Sequence, residues 1–139
     1  MGCFALLMPH HVKTLQVCRE HCDTLIVLIN DDDYTIKKKG CLPLTAMERR
    51  EILLELGCVD SVKIVSDPDL DRYAEDFFER CIKDSENSLI VFHSHELKHT
   101  QVAHLPGAGY ADEIMMIENM NGTSVSDVFR AIKGSKDGQ

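Results

Sequence analysis

Two adjacent histidines follow a proline in GCFALLMPHHVKTLQ, near the start of a 139-residue chain, at the point where a helical pattern begins. An imidazole at a helix start stands beside free backbone N–H groups and the positive end of the helix dipole, a setting suited to an anion such as phosphate. His11 holds that position, and the same ring could cap its own helix instead. Lys37, Lys38 and Lys39 form a basic run beside Asp31, Asp32 and Asp33. This run reads either as a phosphate-binding cluster or as a solvated loop that neutralises itself. Gly122, Thr123 and Ser124 open the last helical pattern. They offer free amides and two hydroxyls to an anion, and with Asp127 they also satisfy an ordinary capping box.

Two other groupings have the look of metal sites. His93, His95 and Glu96 in FHSHE follow an apolar run, and histidines two apart on extended chain project to one side. Third and fourth ligands cannot be assigned, so no metal site is expected there. Cys18 and Cys22 in CREHC fall inside the first helical pattern, where core packing is the expected role. The six cysteines are scattered, as in a protein with reduced thiols in the cytoplasm.

The composition bounds the partners. A net charge of −8, with 44% hydrophobic and 27% charged residues, argues against duplex nucleic acid or an anionic membrane, which would repel the chain. A mononucleotide remains compatible, because a few local cations and amides hold it. No apolar run reaches the length of a membrane span, and no secretory pattern is visible. The expected organisation is one domain over residues 1–133 with a flexible tail at 134–139.

These groups must be positioned by alternating elements. TLIVLIN (24–30) has the β-branched, continuously apolar character of a strand buried on both faces. DSVKIV (60–65), SLIVF (88–92) and DEIMMIE (112–118) predict further strands. Asp67 and Pro68 mark a helix start ahead of the helical spacing of Leu70, Tyr73, Ala74, Phe77 and Cys81. Thr45 and Glu48 form a capping box before RREILLEL, and Ser124 with Asp127 forms another before Val125, Val128, Phe129 and Ile132. Buried strands alternating with amphipathic helices predict an α/β, Rossmann-like parallel sheet with helices on both faces. Ligands of such sheets sit outside the carboxyl ends of the strands, which places FALLMPHH, NDDDYTIKKKG and NGTS on one rim.

In that order and spacing the blocks resemble the cytidylyltransferase-like nucleotidyltransferases, which include glycerol-phosphate cytidylyltransferases and the adenylyltransferases of heptose biosynthesis. The family's opening GxFDxxHxGH is met here by Gly2, Phe4, Ala5, Met8, His10 and His11, and its following strand by VLIN ending at Asn30. KKKGCLPLTAMERREILLELGCVD matches the next block, a Lys-Gly and then a helix carrying an arginine, here Lys39, Gly40 and Arg49. NMNGTSVSDVFRAI matches the last. The chain departs at Met8 for the first motif histidine, His10 for the motif glycine, Ala5 for the aspartate and Asn119 for an arginine. The family's first strand is shortened or missing.

The resemblance implies transfer of a CMP or AMP group from CTP or ATP to a small phosphorylated acceptor, with release of pyrophosphate. It implies Mg²⁺ on the triphosphate and a homodimer. By the same resemblance His11 and Lys39 are catalytic, stabilising phosphate charge. Gly2, Phe4, His10, Asn30, Arg49, Gly122, Thr123 and Ser124 would bind the nucleotide. The rival expectation is a catalytically impaired relative that binds a nucleotide or another protein without turnover.

Overall fold

The computed structural model describes residues 4–66, 79–80, 88–94, 108–117 and 122–137. Within them the chain runs α1 (Pro9–Glu20), β1 (Ile26–Asn30), α2 (Asp32–Lys39), α3 (Ala46–Leu54), β2 (Ser61–Val65), β3 (Ile90–Ser94), a 3₁₀ turn (Ala108–Tyr110), β4 (Glu113–Ile117) and α4 (Val125–Asp137). All four expected strands form, and every pairing is parallel. β1 pairs with β2 from Ile26↔Ser61 to Asn30↔Val65, and β3 pairs with β4 from Ile90↔Glu113 to Ser94↔Ile117.

Both ladders begin with the same clasp. The Asp60 carboxylate accepts the Leu25 N–H at 2.7 Å, and the Leu25 carbonyl accepts the Asp60 N–H at 3.0 Å. In the second ladder Asp112 accepts from Leu89 at 2.6 Å, and Leu89 accepts from Asp112 at 2.9 Å. A carboxylate that takes a strand's first free amide fixes the register of a parallel pair, which has no tight hairpin to set it. Arg19 of α1 adds an ion pair to Asp60. The clasps also explain why β1 and β3 each start two residues later than the apolar runs suggest. As a result β3 takes in His93 and Ser94, which the sequence places beyond the strand.

One core unites these pieces. Leu15 and Cys18 of α1 pack with Val27 and Ile29 of β1, Val62 of β2, Leu53 of α3 and Ile117 of β4, while Phe92 of β3 and Met115 of β4 lie against them. Full burial of each such aliphatic side chain contributes about 1.5–3 kcal/mol relative to exposure. The protein is therefore mixed α/β with parallel strand pairs. Among the described residues the strands form two two-stranded ladders rather than the single sheet expected.

One local expectation is corrected. Asp31 to Gly40 is not a loop but a capped helix. The Asp31 carboxylate accepts the Tyr34 N–H at 2.9 Å, acidic residues occupy the first turn of α2 and lysines its last, and Gly40 closes it at φ 80°. Those are charge placements that complement the helix dipole, followed by a left-handed glycine stop. The last helix, α4, runs to Asp137. Residues 4–8 ahead of α1 hold no strand. The capping boxes do form as expected: Thr45 with Glu48, and Ser124 with Asp127. The helix expected from Asp67 lies outside the described residues, apart from Glu79 and Arg80, which are helical.

Candidate functional site

The start of α1 is built around its histidines. Pro9 occupies the first helical turn, where its missing N–H costs nothing. His11 Nδ1 accepts the Met8 N–H at 3.0 Å, so the ring closes its own helix end. An Nδ1 lone pair used this way places the neutral ring's proton on Nε2. The His11 pKa is lowered to about 4, first by burial and then by the nearby His10 and Lys39, with the Leu6 carbonyl pulling the other way. At neutral pH His11 is therefore an uncharged N–H donor.

Around this ring the structure assembles residues that are far apart in sequence. Phe4 meets His11 edge-on, with ring centroids 5.2 Å apart, and His10 lies against its neighbour at 4.1 Å. Phe4 has φ 48°, a left-handed conformation unfavourable for a bulky residue, costing about 1–3 kcal/mol. On the far side of His10 comes Gly122, where an added Cβ would stand 3.3 Å from His10 Cβ. The start of α4 thus abuts the start of α1. Lys39 is half-buried while Lys37 and Lys38 are exposed, and Lys39 is the lysine whose charge reaches His11. Lys38 lies 6.0 Å from the centre of the Tyr34 ring.

The remaining predicted site residues divide into two sets. Ser124 Oγ accepts the Asp127 N–H at 3.1 Å, and the Asp127 carboxylate accepts the Ser124 N–H at 3.1 Å. Asp127 also pairs with Arg130. The cap thus uses the Ser124 hydroxyl and amide, and Thr123 stays exposed beside it. Asn30 is buried at the carboxyl end of β1, and its carbonyl accepts from Arg49 Nη1 at 2.9 Å. Arg49 is only 2% exposed. Its guanidinium also donates to the Leu44 carbonyl at 3.2 Å and to Asp32 at 3.0 Å. Arg49 therefore braces the end of β1 against the starts of α2 and α3. Asp32, which additionally accepts the Ala46 N–H at 2.6 Å, is the residue that sequence reasoning missed. A surface-charge reading of DDD hid its role as a shared acceptor.

Gly2, Asn119, His95 and Glu96 lie outside the described residues, and His93 sits within β3. Cys18 is buried in the core, and its thiol is pushed up to about 11 by burial. Burial raises the Cys22 thiol as well, and its Sγ donates to the Cys18 carbonyl. Both thiols stay protonated and packed. Among the described residues no three His, Cys, Asp or Glu side chains converge on a point. No described helix is long and apolar enough to cross a membrane.

The chain is similar to proteins named bifunctional protein HldE. It is 31% identical over 137 residues to one from Rhodopseudomonas palustris, covering 97% of this chain and 26% of the relative. A Helicobacter hepaticus protein of the same name is 31% identical over 141 residues, with the same coverage of each chain. One from Ectopseudomonas mendocina is 40% identical over 92 residues, 65% of this chain and 18% of the relative. The chain spans about a quarter of the length of the curated relatives it matches along nearly its whole length. No protein-family model matches it.

Proposed function

We propose that the chain is a nucleotidyltransferase unit that binds a nucleoside triphosphate across the starts of α1 and α4. It would transfer the nucleotidyl group to a small phosphorylated acceptor. The observation that carries this reading is the convergence of His11, His10, Lys39 and Gly122, drawn from three separate parts of the chain, around one rim. The similarity to HldE proteins supports it. Their name says bifunctional, and a match to about a quarter of their length is what one activity of such a protein would occupy.

In the reaction an acceptor phosphate oxygen forms a bond to the α-phosphorus while the bond from that phosphorus to the bridging oxygen breaks. The electron pair leaves with pyrophosphate. Little covalent chemistry falls to the protein, so catalysis is positioning and charge stabilisation. Lys39 supplies a positive charge. His11, uncharged at neutral pH, is the imidazole that would face the phosphates. Mg²⁺ carried by the triphosphate would supply neutralisation of part of its charge. Arg49 and Asp32 hold the end of β1 and the start of α2 in place beneath these groups.

ATP and CTP remain alternative donors. Heptose adenylyltransferases, among the proteins the sequence resembles, make ATP the first to test. Calorimetric titration with each nucleotide and Mg²⁺ tests the reading: saturable binding, weakened in Lys39→Ala and His11→Ala, is expected. Absence of binding by either nucleotide would refute it.

A further inference from the structure

Resting on that reading, we propose that the His10 side chain is a gate on the phosphate seat, filling it in the ligand-free protein and swinging out when a nucleotide binds. His10 is the second residue of α1, directly after Pro9. In that first turn Pro9 has no N–H, and the N–H groups of His11 and Val12 both go to the Met8 carbonyl. Among the described residues the His10 N–H has no backbone acceptor, so it stays available to an anion. At the start of α4 the Ser124 and Asp127 N–H groups are spent on their capping box, and it is Gly122 that faces His10.

The imidazole of His10 fills the space between these two helix starts. Its Cβ, Nδ1 and Cγ lie 3.3, 3.5 and 3.7 Å from where a Cβ on Gly122 would stand. On its other side the ring centre is 4.1 Å from that of His11. Packing, and no hydrogen bond from Nδ1, holds it there: Nδ1 is buried and has no partner among the described residues. A buried polar atom left this way costs free energy. Rotation of the ring into solvent would hydrate Nδ1 and vacate the space beside the His10 N–H in one movement. A triphosphate takes the seat only in that open state, so the closed state lowers its apparent affinity by the fraction of molecules that are open.

The experiment has two arms. Calorimetry with ATP and Mg²⁺ compares wild type with His10→Ala and His10→Phe. His10→Ala removes the ring and suits the helix, so affinity should rise roughly tenfold. His10→Phe keeps the bulk but has no nitrogen to hydrate, so affinity should fall below that of wild type. In wild type, nuclear Overhauser contacts between the His10 ring and Gly122 should be present without ligand and lost at saturating ATP and Mg²⁺. Unchanged or weaker binding by His10→Ala, or ring contacts that persist in the saturated protein, would overturn the gate and leave the nucleotide site standing. Failure of wild type and His10→Ala alike to bind would overturn the site itself, and the gate with it.

Discussion

Gly122 and His10 meet so closely that a Cβ on the glycine would stand 3.3 Å from the histidine's Cβ. Through this contact the last helix and the first share one rim, because the side-chain space at 122 is already taken by the imidazole. Gly122→Ala is therefore expected to displace the His10 ring or the start of α4 by a few tenths of an ångström. ATP affinity should fall roughly three- to tenfold, with little change in melting temperature, as parallel calorimetry and thermal unfolding would measure. A stability loss with intact affinity would show that the contact is structural only.

Arg49 should behave as a brace. Arg49→Ala leaves the Asn30 and Leu44 carbonyls and the Asp32 carboxylate short of a donor inside the fold. A destabilisation of about 3 kcal/mol is expected in urea unfolding. Arg49→Lys keeps the charge but not the planar fork and should recover only part of it.

Stability should fall on acidification through His11. Its folded pKa of about 4 lies below the ordinary value of 6.5, so the unfolded chain takes up the proton first as pH drops. The stabilisation is fully present above about pH 6.5 and is lost progressively toward about pH 4. Urea midpoints across that range should slope in wild type, and the slope should be shallower in His11→Ala. An identical slope in both would assign the acid sensitivity to other groups.

The three lysines of α2 should not be equivalent. Lys39→Ala is expected to weaken ATP binding about tenfold and to raise the His11 pKa, since one of the charges holding it down is removed. Lys37→Ala, on an exposed side chain, should change neither. An NMR titration of His11 alongside calorimetry reads both effects.

Much of this arrangement was legible in the residues. The apolar runs at 24–30, 60–65, 88–92 and 112–118 each contain or overlap a strand, and both capping boxes close as read. Periodicity misled at α2, where DDD and KKK looked like a compensating loop. They are instead the two ends of an eight-residue helix, and Gly40 after the lysines was the signal for its stop. The strand starts were shifted by the Asp60 and Asp112 clasps, tertiary bonds that no local window contains. The meeting of His10 with Gly122 was likewise outside local pattern. The brace role of Arg49 was hidden because arginine on a helix is ordinarily a surface residue.

The most direct test of the central claim is pyrophosphate release from ATP and from CTP with Mg²⁺, measured across a panel of phosphorylated sugars and polyols. The account predicts release that depends on the acceptor and falls roughly 100-fold or more in His11→Ala and Lys39→Ala. Nucleotide binding with no acceptor-dependent release from any member of the panel would contradict it and leave a binding module built on the same rim.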